Sequence, residues 1–327
     1  MIYADQRWIG EHGIGRVARS ILAELSYQPV DLRTNPANGL DPLRLTFALR
    51  RLTPKDVFFS PGYSCPLFCP APYVFMIHDL NHIDRPENSS PMKRIYYATI
   101  LKDACYRAAQ VLTVSEFSRH RIIDWAGVEP DKVVNIGGGV GAEFSPDVVP
   151  YELSFPYLLC VSNRKGHKNE LRTVQAFARA RLDLAIKLVF TGDPSEELEC
   201  AIEHYGVAHR VHFVGRIPDK DLPSLYRSAQ ALVFVSLYEG FGLPVLEAMA
   251  CGIPVVTSNT SALPEIAGDA ALLVNPESIE EIREAIERVV NDDLLRDEMR
   301  VRGMHRASQY NWTAVTKEVR KVISRFE

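Results

Sequence analysis

The chain has 327 residues, of which 46% are hydrophobic and 24% are charged, and its formal net charge is −4. This length predicts about two globular domains, and the slight acidity argues against a nucleic-acid partner, which usually needs a basic surface. The first residues, MIYADQRWIG, show no signal-peptide pattern, no apolar run is long enough to span a bilayer, and the six cysteines fit free thiols in a reducing compartment, so we expect a cytoplasmic protein.

Short apolar runs rich in β-branched residues alternate along the chain with helical patterns, which indicates an α/β fold with parallel strands buried on both faces. The predicted strands are 56–60, 73–79, 110–115, 132–136, 157–162, 186–192, 210–215, 231–236, 253–258 and 270–274. The proline-containing stretch 144–156 separates two strand–helix series. We therefore predict two doubly wound domains, 1–148 and 149–310, that face each other across a cleft. The last helix, 311–327, either completes the second domain or packs back on the first.

The stretch SLYEGFGLPVLEAMACGIPVV, 236–256, places Glu239 after a predicted buried strand and Glu247 one turn into the next helix. Ligands of doubly wound sheets bind at this end of the strands. The amides of Gly242 and Leu243 open the helix, so they carry partial positive charge and suit a phosphate, while carboxylates accept hydrogen bonds from sugar hydroxyls. The pattern predicts a nucleotide-sugar site; the alternative is a structural helix start with two solvated glutamates.

The run E-G-F-G-L-P-x-L-E-A-M-A-x-G-x-P-V resembles the E-x7-E signature of the retaining family 4 glycosyltransferases, which have the GT-B fold. Segments 213–229 and 157–177 resemble the nucleotide-base strand and the lysine loop of that family. MIHDL, TVSEFSR and VVNIGGGV resemble first-domain segments of bacterial mannosyl- and rhamnosyltransferases of surface-polysaccharide synthesis. The resemblance implies two Rossmann-like domains and a nucleotide sugar as co-substrate, with no metal and no other cofactor.

Five donor-site roles follow from the resemblance. It implies that Glu247 binds the ribose hydroxyls and that Glu239 faces the donor sugar and the reacting centre. The amides of Gly242 and Leu243 would hold the diphosphate, whose charge Lys168 would neutralise. A leaving nucleoside diphosphate needs such fixed cations.

Three further donor contacts are implied less directly. The family arginine normally falls at the position of Asn163, so Arg164 either reaches the diphosphate from a shifted turn or leaves the charge to Lys168. Backbone groups from Val214 to Ile217 would read the nucleotide base.

Two first-domain features have counterparts in the family. His78, which ends a predicted strand, would contact the donor hexose, and the turn that includes Gly13 and Gly15 would approach the donor phosphates. From the residues alone, His78 is equally a capped turn residue, and the glycines are equally a tight turn before a helix.

Three other patterns in the sequence have more than one explanation. The D-x-D sequence 219–221 spells a manganese motif, but N-capping of the next helix by Asp221 explains it better. Cys65 and Cys69 lack the second pair of ligands that zinc requires. The segment 93–107 mixes basic residues with Tyr96, Tyr97 and Ile100, which fits either a peripheral contact with the inner membrane leaflet or an ordinary amphipathic helix.

Together these features predict a retaining hexosyltransferase, with mannose and GDP-mannose favoured. The acceptor would be a hydroxyl of a glycan or lipid-linked oligosaccharide in polysaccharide or O-antigen synthesis. The alternatives are a sugar-nucleotide epimerase of similar fold and a non-catalytic, nucleotide-binding partner subunit.

Overall fold

The computed structural model describes all residues, Met1–Glu327. The chain forms two compact units: Met1–Gly139 together with Asn311–Glu327, and Val140–Tyr310. The chain thus leaves the first unit just before the stretch 144–156, and its last helix belongs to the first unit. No helix of this fold combines the length and the apolar content that crossing a bilayer requires.

The first unit contains one parallel sheet of six strands in the order β2-β1-β3-β4-β5-β6. Its strands are β1 (Ile2–Ala4), β2 (Gln28–Pro29), β3 (Val57–Ser60), β4 (Tyr73–Met76), β5 (Gln110–Thr113) and β6 (Val133–Asn135). Its helices are α1 (Gly13–Glu24), α2 (Asp41–Leu49), α3 (Asn81–Asp84), α4 (Pro91–Tyr96), α5 (Lys102–Arg107), α6 (Glu116–Ala126) and, from the end of the chain, α14 (Trp312–Ile323).

The second unit also contains a parallel six-stranded sheet, in the order β12-β11-β10-β7-β8-β9. Its strands are β7 (Tyr157–Cys160), β8 (Lys187–Phe190), β9 (Val211–Phe213), β10 (Ala231–Phe234), β11 (Val255–Ser258) and β12 (Leu272–Val274). Its helices are α7 (Glu170–Arg179), α8 (Glu196–His204), α9 (Leu222–Ser228), α10 (Leu243–Ala250), α11 (Leu263–Ala267), α12 (Ile279–Asn291) and α13 (Asp293–Ser308).

The central strands of both sheets are buried along their whole length, as their unbroken apolar sequences predict. The prediction of two doubly wound α/β domains is confirmed. β1 and β2 were missed, because each is only two or three residues long and β2 is exposed on both positions. In the second unit, β7 is first in the chain yet pairs with the fourth strand, β10. The strand order reverses between these two strands, which is where ligands of such sheets bind.

Candidate functional site

Lys168 and Glu239 meet at the strand-order reversal of the second unit. Lys168 lies in the loop after β7 and Glu239 in the loop after β10, and the Lys168 Nζ donates to Glu239 Oε1 at 2.6 Å. Each side chain is only 14% exposed. Two charges this far from water must be compensated by each other or by a ligand, so the pair forms a charged centre at the ligand-binding edge of the sheet.

Asn169 ties the two loops together. Its backbone is left-handed, with φ of +61°, and its buried side-chain amide donates to the carbonyls of Val235, at 3.0 Å, and Pro276, at 2.7 Å. The amide of Leu237 also donates to the carbonyl of His167 at 2.7 Å. These bonds fix the position of Lys168 relative to the Glu239 loop. The sequence gives only the order Lys-Asn before a helix, so this role was not predicted.

The backbone of Glu239 is held by the loop after β11. Its amide donates to Ser261 Oγ at 3.0 Å, and its carbonyl accepts from the Ala262 amide at 3.3 Å. Ser261 adopts a φ of +56°, which is uncommon for a residue with a side chain. The glutamate that the motif identified is therefore positioned by a serine more than twenty residues later, a contact that sequence spacing could not reveal.

The backbone conformation and the close packing at position 242, directly before α10, require a glycine. Gly242 has a φ of +117°, and a Cβ at this position would lie 2.8 Å from Leu263 Cδ2. No side chain caps the helix, and the amides of Gly242 and Leu243 donate to no other protein group. Two free donors with the partial positive charge of a helix start can bind a phosphate.

Glu247 is buried, with 2% exposure, in the second turn of α10. Its Oε2 accepts a hydrogen bond from the Tyr226 hydroxyl at 2.8 Å. The alternative of two solvated glutamates is therefore wrong, because one is buried and the other is ion-paired. Tyr226 was not singled out from the sequence; its spacing from Glu247 carries no signal without the fold.

Arg164 binds protein groups in this structure. Its Nε donates to the carbonyl of Asp193 at 2.7 Å, its Nη2 donates to the carbonyl of Thr191 at 2.6 Å, and its Nη1 is hydrogen-bonded to Glu170. The guanidinium thus fastens the loop after β7 to the end of β8. The binding of the diphosphate by Arg164 stays a prediction. To bind a phosphate, Arg164 would have to exchange some of these contacts for it.

Val214 and Ile217, the predicted base contacts, follow β9. The Val214 amide donates to the carbonyl of Phe190 at 3.1 Å, and Gly215 accepts from the Gly192 amide at 2.6 Å. The backbone here is pinned beside β8, and both Val214 and Ile217 are partly exposed. The base-reading role stays a prediction, and the Val214 amide is already engaged.

His78 follows β4 in the first unit and is a buried, neutral residue. One ring nitrogen, Nε2, lies 2.9 Å from the carbonyl of Pro61, so Nε2 carries the proton that this acceptor requires. Burial lowers the pKa of His78 to about 4. Its own carbonyl accepts from Ser118 Oγ at 3.0 Å. The hexose contact stays a prediction, and His78 can serve there as a neutral hydrogen-bonding group.

Gly13 and Gly15 open α1 and differ in their surroundings. A Cβ on Gly15 would lie 2.5 Å from the backbone of Gly10, whereas a Cβ on Gly13 would meet nothing within 4 Å. His12 caps the helix by accepting the Gly15 amide at Nδ1, at 3.0 Å. Gly15 is thus needed for packing, while Gly13 leaves its backbone open to solvent.

The structure corrects the expected cap of α9 and shows what covers the apolar side chains of segment 93–107. Asp221 occupies the N-cap position of α9, but its side chain makes no capping hydrogen bond. In segment 93–107, Tyr97 is buried, and Tyr96 and Ile100 pack against the first-unit core, so these side chains do not face a membrane. The segment is an amphipathic helix with a π-helical turn between α4 and α5. No group of three or more His, Cys, Asp or Glu side chains is placed to hold a metal ion.

Comparison with known proteins gives two adjoining family matches. Residues 13–144 match the model described as Glycosyltransferase Family 4, and residues 145–306 match the model described as Glycosyl transferases group 1.

Individual relatives agree. The chain is 31% identical to O-antigen chain mannosyltransferase B of Escherichia coli, over 91% of this chain and 81% of that protein. It is 29% identical to the serotype-specific mannosyltransferase WbdA of Escherichia coli, over 73% of this chain but only 32% of the relative. The crystal structure of Anabaena Alr3699/HepE in complex with UDP-glucose superposes with a TM-score of 0.79 at 18% identity, covering 99% of both chains, and it supports the GT-B fold.

Proposed function

Because the chain belongs to the family 4 glycosyltransferases, we propose that it transfers mannose from a nucleotide-diphosphate sugar, GDP-mannose in the first instance, to a hydroxyl of a glycan or lipid-linked oligosaccharide. Transfer occurs with retention at the anomeric carbon, in the synthesis of O-antigen or a similar polysaccharide. The mannosyltransferase activities named for the two Escherichia coli relatives support the sugar and the process. WbdA is about three times longer than the region matched, so its complete activity is not carried over.

The observation that carries the proposal is the Lys168–Glu239 ion pair beside the free amides of Gly242 and Leu243. Cleavage of a sugar–diphosphate bond places negative charge on the departing phosphate, which a fixed cation and aligned amides stabilise. Lys168 and the two amides provide those groups. When phosphate attracts Lys168, the Glu239 carboxylate becomes available to accept a hydrogen bond from the hexose.

The remaining roles complete the donor site. Glu247 accepts hydrogen bonds from the ribose hydroxyls, and the backbone of Val214–Ile217 contacts the base. His78 contacts the hexose, and Gly13 and Gly15 belong to the loop that approaches the phosphates. The acceptor oxygen bonds to the anomeric carbon on the face that the phosphate leaves, and its proton passes to the departing phosphate oxygen.

Substitution of Glu239 by glutamine tests the catalytic assignment. We expect the turnover number for mannose transfer to fall by about a hundredfold or more, with a much smaller change in the affinity for GDP. Glu277→Gln, an exposed position in the same unit, is the matched control and keeps the wild-type rate. Transfer at the wild-type rate by Glu239→Gln, with donor binding unchanged, would show that Glu239 is not catalytic. A wild-type chain that binds nucleotide but transfers no sugar would support the non-catalytic subunit.

The donor base is identified by thermal unfolding with GDP, UDP, dTDP and ADP. A nucleotide at 100 times its dissociation constant adds about 2.7 kcal/mol to the free energy of unfolding. We expect GDP to give the largest shift in the melting temperature. A larger shift with another diphosphate would replace GDP-mannose by the corresponding donor, and no shift with any of them would contradict the nucleotide site.

A further inference from the structure

The sheet of the first unit has its own reversal of strand order. β1, the first strand of the chain, pairs with β2 on one side and with β3 on the other. Ligands of such sheets bind at the carboxyl ends of the strands where the order reverses, so the loops after β1 and β3 form the expected ligand edge of this unit. The contacts proposed above leave Trp8, after β1, and Tyr63 and Ser64, after β3, without a role.

Trp8 joins these two loops. Its indole N–H donates to Ser64 Oγ at 2.9 Å. A Cβ on Gly62 would lie 2.5 Å from Cδ2 and 2.6 Å from Cε2 of the indole. These two atoms are shared by both rings, so the backbone of Gly62 covers one face of the indole. Trp8 nevertheless remains partly exposed, and the exposed part is therefore the opposite face or the outer edge of the six-membered ring.

The turn that carries Trp8 is held by buried charges. The guanidinium of Arg7 donates to both carboxylate oxygens of Asp5 at 2.8 Å and to Oδ2 of Asp41 at 3.1 Å. Both carboxylates are 1% exposed. Arg7 is thus engaged by two anions and is not available to a phosphate. The turn presents the indole in a fixed position, as an aromatic surface and not as a charge.

Aromatic rings continue from Trp8 along the carboxyl ends of the strands. The ring centroid of Tyr63 lies 5.9 Å from that of Trp8 and 5.9 Å from that of His78. The Tyr63 hydroxyl accepts from the Asp79 amide at 3.1 Å, which fixes the middle ring. Each step is about the width of one sugar ring. A sugar on Trp8 would therefore lie within two sugar widths of His78, the proposed contact of the donor hexose.

We propose that the terminal sugar of the acceptor stacks on Trp8. The C–H groups on one face of a pyranose pack against the exposed indole, while its hydroxyls remain available to polar groups and to the reaction. The acceptor is then a glycan that ends in a pyranose, and Trp8 determines this class of acceptor. The inference rests on the proposed transfer to a glycan, but sugar binding can be measured without any transfer.

Saturation-transfer difference NMR on the full chain, with and without GDP, tests the inference. The probes are α-linked mannobiose and N,N′-diacetylchitobiose. We expect the wild-type chain to saturate both disaccharides, most strongly at the ring C–H protons of one face, because an indole recognises that face and not one pattern of hydroxyls. Trp8→Ala should weaken the binding by about tenfold or more. Trp8→Phe, which keeps a smaller aromatic ring, should bind more tightly than Trp8→Ala.

Trp312→Phe is the matched control. Trp312 is also partly exposed and also packs against a glycine, since a Cβ on Gly139 would lie 2.9 Å from its Cδ2. Gly139 follows β6, the edge strand that lies three strands away from β3. Trp312→Phe should therefore bind both disaccharides like the wild-type chain.

Three outcomes would overturn the proposal. The first is a wild-type chain that saturates neither disaccharide. The second is equal binding by the wild-type chain and Trp8→Ala. The third is a loss of binding in Trp8→Ala and Trp8→Phe that is accompanied by a lower melting temperature in both, which would mean that Trp8 acts only on the fold. A wild-type chain that binds the disaccharides through Trp8 but transfers no mannose from GDP-mannose would support the inference and contradict the proposed function.

Discussion

The hydrogen bond between Tyr226 and Glu247 makes Tyr226 a positioning residue for the nucleotide ribose. The Tyr226 hydroxyl donates to one of the two oxygens of the buried Glu247 carboxylate at 2.8 Å and so helps to set the orientation of that carboxylate. A hydrogen bond to a charged group contributes about 1.5–3 kcal/mol. We expect Tyr226→Phe to weaken binding of GDP by about tenfold or more, while binding of the 2′,3′-dideoxy analogue, which lacks the hydroxyls, changes little. Isothermal titration calorimetry measures both affinities.

Tyr157→Phe is the matched control for this prediction. Its buried hydroxyl donates to the carbonyl of Leu225 at 2.6 Å in the same unit, so the substitution also removes a buried hydrogen bond. It should lower the stability without changing the preference for the ribonucleotide. Equal losses of affinity for both nucleotides in Tyr226→Phe would mean that Tyr226 acts only on the fold.

The sequence identifies residues whose spacing is local and misses those joined by the fold. Glu239 and Glu247 were found because one short motif contains both. Asn169, Tyr226 and Ser261 hold the same site, but each contacts a residue more than twenty positions away, and a single sequence does not encode such pairs. Arg164 shows the opposite case. Its position in a short loop predicts a ligand contact, but in the fold its guanidinium donates to carbonyls that are distant in the sequence.

At the scale of elements, the start of α1 contains two glycines with different expected roles. Gly15 is needed for packing, whereas Gly13 is predicted to lie near the ligand. Gly15→Ala forces a Cβ to within 2.5 Å of the Gly10 backbone, so we expect a loss of about 1–3 kcal/mol in the free energy of unfolding. Gly13→Ala meets open space and should leave stability nearly unchanged. If the loop contacts the donor phosphates, Gly13→Ala weakens GDP-mannose binding on its own. Urea unfolding and a binding assay on both variants distinguish the effects, and equal stability of the two would refute the packing role of Gly15.

The elements that were predicted correctly are those whose apolar residues form unbroken runs or recur at a regular spacing. The buried strands and the last helix belong to this class, and Val315, Val319, Val322 and Ile323 of α14 are buried as expected. Segment 93–107 was ambiguous, because an amphipathic pattern does not state which partner covers its apolar face. The exposure of Leu43 and Phe47 on α2 was not predicted, because the sequence does not show that Leu45 and Leu49 are the leucines that face the core.

At the scale of the whole molecule, a different signal is available to follow the stability of each unit. Trp8, Trp125 and Trp312, the three tryptophans, all belong to the first unit. The proposed contacts of the nucleotide with Lys168 and Glu247 belong to the second unit. Tryptophan fluorescence therefore follows unfolding of the first unit, and nucleotide-dependent stabilisation acts first on the other.

Because the tryptophans lie in the same unit as the buried His78, their fluorescence can measure how protonation of His78 changes the stability of that unit. Burial lowers its pKa from 6.5 to about 4, so between these values the unfolded chain binds a proton that the folded chain excludes. The stability contributed by neutral His78 is thus complete above about pH 6.5 and is lost as the pH falls towards 4. Between pH 7 and pH 5, the loss amounts to about 2 kcal/mol.

Gln offers an amide near the position of Nε2 without a titrating group, so His78→Gln should remove this loss from the fluorescence-detected urea transition. His120→Gln, at an exposed position of α6, should retain it. An unchanged pH dependence in His78→Gln would mean that the ring takes up a proton in the folded protein as readily as in the unfolded chain.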